Sequence, residues 1–225
     1  SKARDRWLRR LLTSEAIVNL MLFAREQGIK TLLARGDPHV FRILDEYEKR
    51  AVERFQWIAQ TAPERGDPTE SIDEIAQHSP TAIYMHGGRT CSQYYDPQTR
   101  TIRRAQEFLD RIRSHNLPAG LGTHNPEVIE VSEERGYNAD FYIQSLNSVG
   151  YCCEARPERV SQGLHATKKP VMIIKVLAAG RVEPKEGIGL ALRLCKPNDC
   201  LVIGMVFPEE IEENAALLHE LLVSN

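Results

Sequence analysis

The sequence has neither a long apolar run nor an excess of one sign of charge. Its longest uncharged apolar stretches have the length of a β-strand, too short to cross a bilayer, and no signal-peptide pattern is present. The 29 basic and 31 acidic residues leave a net charge of −2, so no basic face for nucleic acid is expected. We therefore expect a chain that binds neither membranes nor nucleic acid.

Cysteine is scarce and irregularly spaced. The five thiols form no CxxC pair, and their odd number argues against a disulfide framework; they are Cys91, Cys152, Cys153, Cys195 and Cys200. No HxH or HExxH spacing occurs either, so no metal site is predicted from local motifs. Free thiols are typical of a reducing compartment, and a cytoplasmic location is expected.

What the sequence does contain is a regular alternation of two patterns. Seven short apolar runs are each followed by a stretch with helical spacing; the runs begin near residues 31, 55, 81, 118, 140, 171 and 200. Strands that alternate with helices in this way are typical of a parallel sheet with crossover helices. Seven such units in 225 residues predict an α/β fold, a single (β/α)8 TIM barrel that spans residues 1–225.

Three segments depart from the regular alternation of strands and helices. A basic, helix-prone segment covers 1–12, and a helix follows over 15–28 with no strand before it, so we expect the first strand of the ring to lie outside this chain or to be missing from it. The pattern over 97–116 predicts one long amphipathic helix. The irregular region 147–169 is interpreted as a loop over the barrel mouth.

Active sites of such barrels form where the strands end, and polar residues stand there in this sequence. His86 and His124 each end a strand, and histidine is the side chain best suited to carry protons near neutral pH. Lys175 interrupts the apolar run VMIIKVLAAG, and burial of its ammonium would favour a neutral, nucleophilic amine. Asp37 could be a base, a metal ligand or the cap of the helix that begins at Pro38.

Other polar residues near the strand ends are predicted to bind substrate. Arg35 could hold an acidic group through its fork of donors, and the neutral side chains would orient hydroxyl groups; these are Gln60, Asn125, Gln144 and Asn147. The small residues Ala179, Gly180 and Gly204 follow the last two strands, where barrels often bind a phosphate or cofactor. Glu209 and Glu210 begin the next helix and would repel an anion there.

Three segments resemble the aldo/keto reductase barrels. VIGMVFPEEIEENAALL (202–218) is similar to the last strand and helix of that family, with Glu213-Asn214 at its Glu-Asn pair, and VMIIKVLAAGR (171–181) is similar to the strand before it. IYMHGG (83–88) is similar to the strand that carries the family's catalytic histidine, which corresponds to His86. The resemblance implies a barrel enzyme that acts on carbonyl compounds.

The resemblance does not extend to the rest of the reductase site. Gln60 stands where the family has its lysine, and no tyrosine stands in the expected position after Asp37. Glu210 replaces the arginine that commonly holds the 2′-phosphate of the cofactor, which reverses the charge. NAD(P)H is therefore a disfavoured cofactor, although it stays possible.

Four functions fit these residues. The first is an enzyme acting on a small polar carbonyl compound, sugar-like or hydroxy-acid-like, with His86 and His124 as acid and base and Lys175 polarising the carbonyl. The second is a lyase or aldolase that forms a Schiff base through Lys175. The third is an isomerase or hydrolase whose metal is held by His86, His124 and Asp37, and the fourth is a binding barrel without catalysis.

Overall fold

The computed structural model describes residues 13–223. Seven parallel strands form one sheet with the order β1-β2-β3-β6-β7-β8-β9, and a short antiparallel hairpin, β4 and β5, lies beside it. The strands are β1 (Thr31–Arg35), β2 (Gln56–Gln60), β3 (Ala82–Met85), β4 (Tyr95–Asp96), β5 (Thr101–Ile102), β6 (Ala119–Thr123), β7 (Phe141–Ser145), β8 (Val171–Ile174) and β9 (Cys200–Leu201). All seven sheet strands fall within the apolar runs of the sequence, so the predicted α/β barrel is confirmed as a (β/α)8 barrel-like fold.

Helices connect the strands and cover the outside of the sheet. They are α1 (Ser14–Glu26), α2 (Pro38–Glu48), α3 (Pro68–Ala76), the single turn α4 (Gly87–Arg89), α5 (Ala105–Ser114), α6 (Glu127–Arg135), α7 (Pro157–His165), α8 (Pro184–Leu194) and α9 (Pro208–Val223). Many of them begin with proline, whose fixed φ and missing N–H suit the first helical turn. Some connections are short, such as those from β1 to α2 and from β6 to α6, while the one from β7 to α7 is longer.

The side chains of each strand divide between two layers. A small cluster that includes Ile58, Tyr84, Phe141 and Ile143 fills the inside of the curled sheet. The larger cluster, which includes Trp57, Ile83 and Tyr142, packs between the sheet and the helices. Strand alternation therefore decides which residues can reach the barrel mouth and which face the helices.

The ring has an open seam in the part of the chain that is described. Over residues 13–223, β1 pairs only with β2, and β9 pairs only with β8. Seven strands without an eighth agree with the sequence pattern, in which no strand precedes residue 13. The predicted basic helix over 1–12 lies outside the described residues.

The predicted helix over 97–116 is wrong in its first half. The carboxylate of Asp96 accepts hydrogen bonds from the amides of Gln98 and Thr99, at 2.9 and 3.3 Å, which closes a turn between β4 and β5. Arg100 and Arg104 have φ values of 47° and 59°, in the left-handed region that ends regular helix. Only α5 remains helical, because these local turns compete successfully with helical spacing.

Two further predictions of chain course need correction. The region 147–169 is not one loop, since α7 occupies Pro157–His165 and separates two irregular segments. The run VMIIKVLAAG is not one strand, since β8 ends at Ile174 and Lys175 takes a left-handed conformation with φ 64°. The second difference matters for function because it changes where the Lys175 side chain is placed.

Within residues 13–223, we find no helix that combines the length and the apolar character needed to span a membrane.

Close backbone contacts near the mouth require glycine. A Cβ added to Gly122 would lie 2.5 Å from the carbonyl oxygen of Met85 and 2.9 Å from the amide nitrogen of Gly87. Both are backbone atoms, so neither can move aside without shifting β3 or the turn after it. The glycine thus lets β6 approach the turn that carries His86.

The substitution Gly122→Ala should lower the free energy of unfolding by about 1–3 kcal/mol, because the new methyl group overpacks a rigid contact. Gly204→Ala is the matched control, since nothing lies within 4 Å of a Cβ at that position. Urea unfolding of both variants measures the difference. Equal stability of the two variants would contradict the packing described for β3 and β6.

Candidate active site

A small cavity opens at the carboxyl ends of the strands. Its volume is about 210 Å³, below the roughly 300–1,000 Å³ of pockets that hold drug-sized ligands. Its lining comes mainly from β2, β3, β6, β7, β8 and the residues that follow them: Gln60, Tyr84, His86, Gly87, Gly122, Thr123, His124, Ile143, Ile174 and Lys175. The lining holds one cationic side chain and no carboxylate, so it suits a small polar compound.

Lys175 reaches this cavity because the chain turns sharply after β8. Its left-handed backbone, unusual for a residue with a Cβ, is fixed through its carbonyl oxygen, which accepts from the amide of Ala178 at 2.9 Å and from Asn147 Nδ2 at 3.3 Å. Asn147 is buried and also closes the turn that follows β7, through two hydrogen bonds with the backbone of Tyr151. The strained residue is thus held by a neighbouring loop.

The Nζ atom of Lys175 lies 3.1 Å from Nε2 of His124. Burial, together with the smaller effects of the charges of Lys175 and His86, lowers the pKa of His124 to about 4. At neutral pH the imidazole is therefore uncharged. An ammonium group has no acceptor, so Nε2 accepts the hydrogen bond and the proton of the ring resides on Nδ1.

Two hydrogen bonds hold the backbone of His124, one at its amide and one at its carbonyl group. Its amide donates to Cys91 Sγ at 3.2 Å, and its carbonyl oxygen accepts from the amide of Glu154 at 2.9 Å. The same thiol lies 3.1 Å from Thr123 Oγ1. Cys91 is thus a positioning group for the histidine, and burial raises the pKa of its thiol.

His86 follows β3 and begins the short turn α4. Its amide donates to Thr61 Oγ1 at 3.1 Å, and its Nδ1 accepts from the amide of Arg89 at 3.3 Å. Burial, and then the positive charges of Arg35, Arg89 and Lys175, lower the pKa of His86, against a backbone hydrogen bond that raises it. The neutral ring therefore carries its hydrogen on Nε2, the opposite tautomer to His124.

The two histidines converge on the same part of the cavity. A Cβ built on Gly88 would lie 3.2 Å from Cε1 of His86 and 3.8 Å from Cε1 of His124, so both rings border one point. The structure thus brings together three of the four predicted catalytic residues, His86, His124 and Lys175. One ring offers an N–H donor and the other an acceptor, an arrangement that can take a proton from one atom of a substrate and give one to another.

Arg35 and Asp37 lie at the rim and do not line the cavity. Nε of Arg35 is 3.4 Å from Oδ2 of Asp37, and the guanidinium also forms an ion pair with Glu64. Oδ1 of Asp37 accepts from the amides of His39 and Val40 at 3.0 and 3.1 Å, which caps α2. The helix-capping interpretation therefore accounts for Asp37, and its catalytic role stays a prediction.

The predicted substrate-binding amides fall into two groups. Gln60 lines the cavity and donates from Nε2 to the hydroxyl of Tyr84 at 2.9 Å. Asn125, Gln144 and Asn147 do not line it. Asn125 Oδ1 accepts from the amide of Glu127 at the start of α6, and Asn147 holds the loop described above.

Gln144 faces the helix layer, as strand alternation requires for a neighbour of Ile143. Its Nε2 donates to the carbonyl oxygen of Ser145, while its fully buried Oε1 has no hydrogen-bond partner in the described structure. We have no physical account of that unpaired atom. It lies away from the cavity, so it gives no support to a role in substrate binding.

Of the residues predicted to bind a cofactor, Ala179 and Gly180 lie in an exposed turn after β8, and Gly204 follows β9. Ala178, Ala179 and Gly180 all have left-handed backbone conformations, and space is open around Gly180 and Gly204. However, the amides of Val206 and Phe207, which precede α9, already donate to Glu210 Oε2 at 2.6 and 3.2 Å. This carboxylate occupies donors that an anion at the start of α9 would use.

Tyr84 is the site residue that sequence reasoning missed. It stands two residues before His86 on β3 and opposite Gln60 in the register of β2 and β3. The two-residue period of a strand places such residues on one face, so the pattern did contain the signal.

Two other features are weaker as functional sites. An open groove of about 430 Å³ lies between α3 and α5, but Arg111 and Asp73 in its wall pair with each other, with Nη2 2.5 Å from Oδ2. Across residues 13–223, no group of three or more histidine, cysteine or acidic side chains is arranged to hold a metal ion. The metal-dependent alternative therefore lacks a ligand set in this part of the chain.

The sequence matches no protein-family model and no curated protein. Solved structures do resemble the fold. A candidate aldo-keto reductase from Pseudomonas aeruginosa aligns with a TM-score of 0.68 at 14% identity, over 93% of this chain and 82% of that one. The 3-deoxy-D-arabino-heptulosonate 7-phosphate synthase from Thermotoga maritima, in a truncated form, aligns with 0.60 at 12% identity, over 95% and 83%.

Orotidine 5′-monophosphate decarboxylase from Methanocaldococcus jannaschii aligns with a TM-score of 0.59 at 15% identity, over 92% of this chain and 94% of that one. These three proteins share the barrel and differ in the reactions that their names describe. The likeness therefore shows the fold of this chain and selects no activity. The resemblance to the aldo/keto reductases extends to the barrel and does not establish membership of that family.

We expect the folded protein to be less stable in acid because His124 is buried in its neutral form. Its pKa is lowered to about 4 in the folded state from an ordinary value of 6.5, so between these values the unfolded chain binds more protons and stability rises with pH. Acidification from pH 7 to pH 4.5 should lower the free energy of unfolding by on the order of 1–2 kcal/mol through His124, a figure reduced to allow for the partial exposure of its side chain.

Urea unfolding of wild type, His124→Gln and His39→Gln at pH 7 and pH 4.5 measures this contribution. His39 is exposed and serves as the control. The loss of stability between the two pH values should be smaller in His124→Gln than in the other two proteins. An equal loss in all three would show that His124 is not buried as described.

Asp37 can stabilise the fold as the cap of α2 or through its charge, which is paired with Arg35, and these two contributions lead to different outcomes. If the carboxylate is only a cap, Asp37→Ala should cost about 1 kcal/mol of unfolding free energy, while Asp37→Asn should cost a few tenths at most, because asparagine caps equally well. Thermal unfolding of both variants provides the measurement. A loss of stability in Asp37→Asn as large as in Asp37→Ala would mean that the charge, and not the cap, matters.

Proposed function

We propose that this barrel is an enzyme that acts on a small polar carbonyl compound, sugar-like or hydroxy-acid-like. The observation that carries the proposal is the 3.1 Å contact between Lys175 Nζ and His124 Nε2 inside a cavity whose lining contains no carboxylate. A lysine that serves structure alone is usually paired with an acidic group. Lys175 forms no salt bridge in the described structure.

In this proposal the cation engages the carbonyl group. Lys175 donates a hydrogen bond to the carbonyl oxygen and makes the adjacent C–H more acidic. His124, neutral and with Nε2 free to accept once the lysine turns to the substrate, takes the α-proton. His86 presents its Nε2 hydrogen to the oxygen on which negative charge develops.

A second candidate is covalent chemistry at Lys175, and the same contact favours it. Neutral His124 can accept a proton from the ammonium and release a nucleophilic amine. The nitrogen then attacks the carbonyl carbon to form a C–N bond, the C=O π electrons move to the oxygen, and a proton passes from the nitrogen to that oxygen to give a carbinolamine. The proton that His124 received is then given to the hydroxyl group, and loss of water leaves an iminium ion on Lys175.

A panel of small carbonyl compounds tests the proposal. Hydroxyacetone, glyceraldehyde and pyruvate are incubated with the protein in D2O, and exchange of their α-protons is followed by NMR. Wild type should accelerate exchange for at least one compound, and Lys175→Met should lose the acceleration at least 100-fold, because removal of one polarising donor typically costs that much. The exposed Lys185 provides the control variant Lys185→Met, which should exchange like wild type.

Two further measurements separate the two candidates. Borohydride reduction of the mixture should leave an adduct on Lys175, detected by mass spectrometry, only if the covalent route operates. Lys175→Arg should keep part of the exchange activity if the cation merely polarises the carbonyl, and none if it forms the Schiff base. Absence of exchange and of adducts across the panel would overturn both candidates.

A further inference from the structure

Tyr84 is a buried phenol on the floor of the cavity that no part of the proposed proton transfer uses. It is 1% exposed and borders the same space as His86, His124 and Lys175. Its position on the inside of β3 is fixed by sheet packing with Ile58, Phe141 and Ile143. A rigid strand residue is a more accurate platform for a ligand contact than a loop residue.

Gln60 orients the hydroxyl group of Tyr84. Its Nε2 donates to the phenolic oxygen at 2.9 Å, and the two residues are register partners in the parallel pair of β2 and β3. Because the phenolic oxygen accepts this bond, its own hydrogen remains to be donated. Over the described residues no acceptor for that hydrogen is found, although a buried donor without an acceptor costs roughly 1–3 kcal/mol.

We propose that Tyr84 is a further catalytic residue, which donates its hydroxyl hydrogen to the carbonyl oxygen of a small ketone or aldehyde, and that Gln60 is the positioning residue that aims it. The inference rests on the proposed function and deepens it, since it assigns the part of the cavity that holds the oxygen. The oxygen then receives hydrogen bonds from Tyr84, Lys175 and His86, while His124 faces the α-proton.

The chemistry of such a contact is straightforward. When His124 takes the α-proton, the electrons of the C–H bond form a C=C bond, and the carbonyl π electrons move to the oxygen. The enolate oxygen gains negative charge and therefore binds a hydrogen-bond donor more tightly than the ketone does. Burial raises the pKa of Tyr84, which keeps the phenol protonated as a donor.

The variant Tyr84→Phe removes only the hydroxyl group and keeps the ring that packs inside the barrel. The rate of α-proton exchange in hydroxyacetone should fall roughly 100-fold at saturation with little change in KM, because the lost hydrogen bond strengthens in the transition state. Tyr94→Phe is the matched control, since Tyr94 packs on Phe108 and does not line the cavity. It should exchange at the rate of wild type.

A second readout does not depend on turnover. In protein labelled with 13C at the ζ position of tyrosine, the Tyr84 signal is identified by its absence in Tyr84→Phe. This signal should shift when hydroxyacetone is added, because its hydroxyl acquires an acceptor. In Gln60→Leu the shift should shrink and the exchange rate should fall several-fold, a coupled change that a purely structural glutamine would not produce.

The outcomes distinguish the inference from the function on which it rests. Wild-type exchange together with unchanged exchange in Tyr84→Phe would overturn the role of Tyr84 and leave the proposed function standing. A shift of the Tyr84 signal without any exchange would support the oxygen-binding role and overturn the proposed proton transfer. Neither a shift nor exchange with hydroxyacetone, glyceraldehyde or pyruvate would overturn the inference.

Discussion

The contact between the amine of Lys175 and the imidazole of His124 governs what this site can do. A lysine cation in a cavity without a carboxylate needs an acceptor, and the structure supplies a neutral histidine at 3.1 Å. The same cation and the surrounding burial keep that histidine uncharged, since both lower its pKa. The pair thus combines a hydrogen-bond donor with a neutral proton acceptor.

Loops that do not themselves enter the cavity hold this pair in place. Asn147, after β7, fixes the carbonyl of Lys175, while Cys91 and Glu154 fix the backbone of His124. Thr61, after β2, holds the amide of His86. The side chains at the mouth are therefore preorganised by bonds to their backbones, which leaves their polar tips available for a ligand.

The sequence was informative about the fold for a simple physical reason. Parallel strands buried on both faces have continuous apolar runs, and prolines mark the beginnings of the helices, so all seven strands were predicted. The rule that barrel sites form at strand ends then selected His86, His124, Lys175 and Gln60, which the structure brings to one cavity. These predictions needed only the order of elements along the chain.

Other features depend on contacts that no single-sequence pattern specifies. Lys175 leaves the strand because Asn147 stabilises a left-handed backbone from another loop, and the turn at Asp96 replaces the first half of a predicted helix. The face of the sheet toward which the Gln144 side chain points depends on the alternation along β7. A shift of one residue would turn it from the helix layer to the inside of the barrel. The importance of Tyr84 depends on its hydrogen bond with Gln60 on the neighbouring strand, which the apolar run around Tyr84 does not specify.

The central claim is tested most directly by 15N NMR of the histidine side chains during a pH titration. We expect His124 to be neutral from pH 8 down to about pH 5, with its hydrogen on Nδ1, and to take up its second ring proton only near pH 4. Its Nε2 signal should change in Lys175→Met. A His124 that becomes a charged imidazolium near pH 6.5, and whose signals are the same with and without Lys175, would contradict the claim.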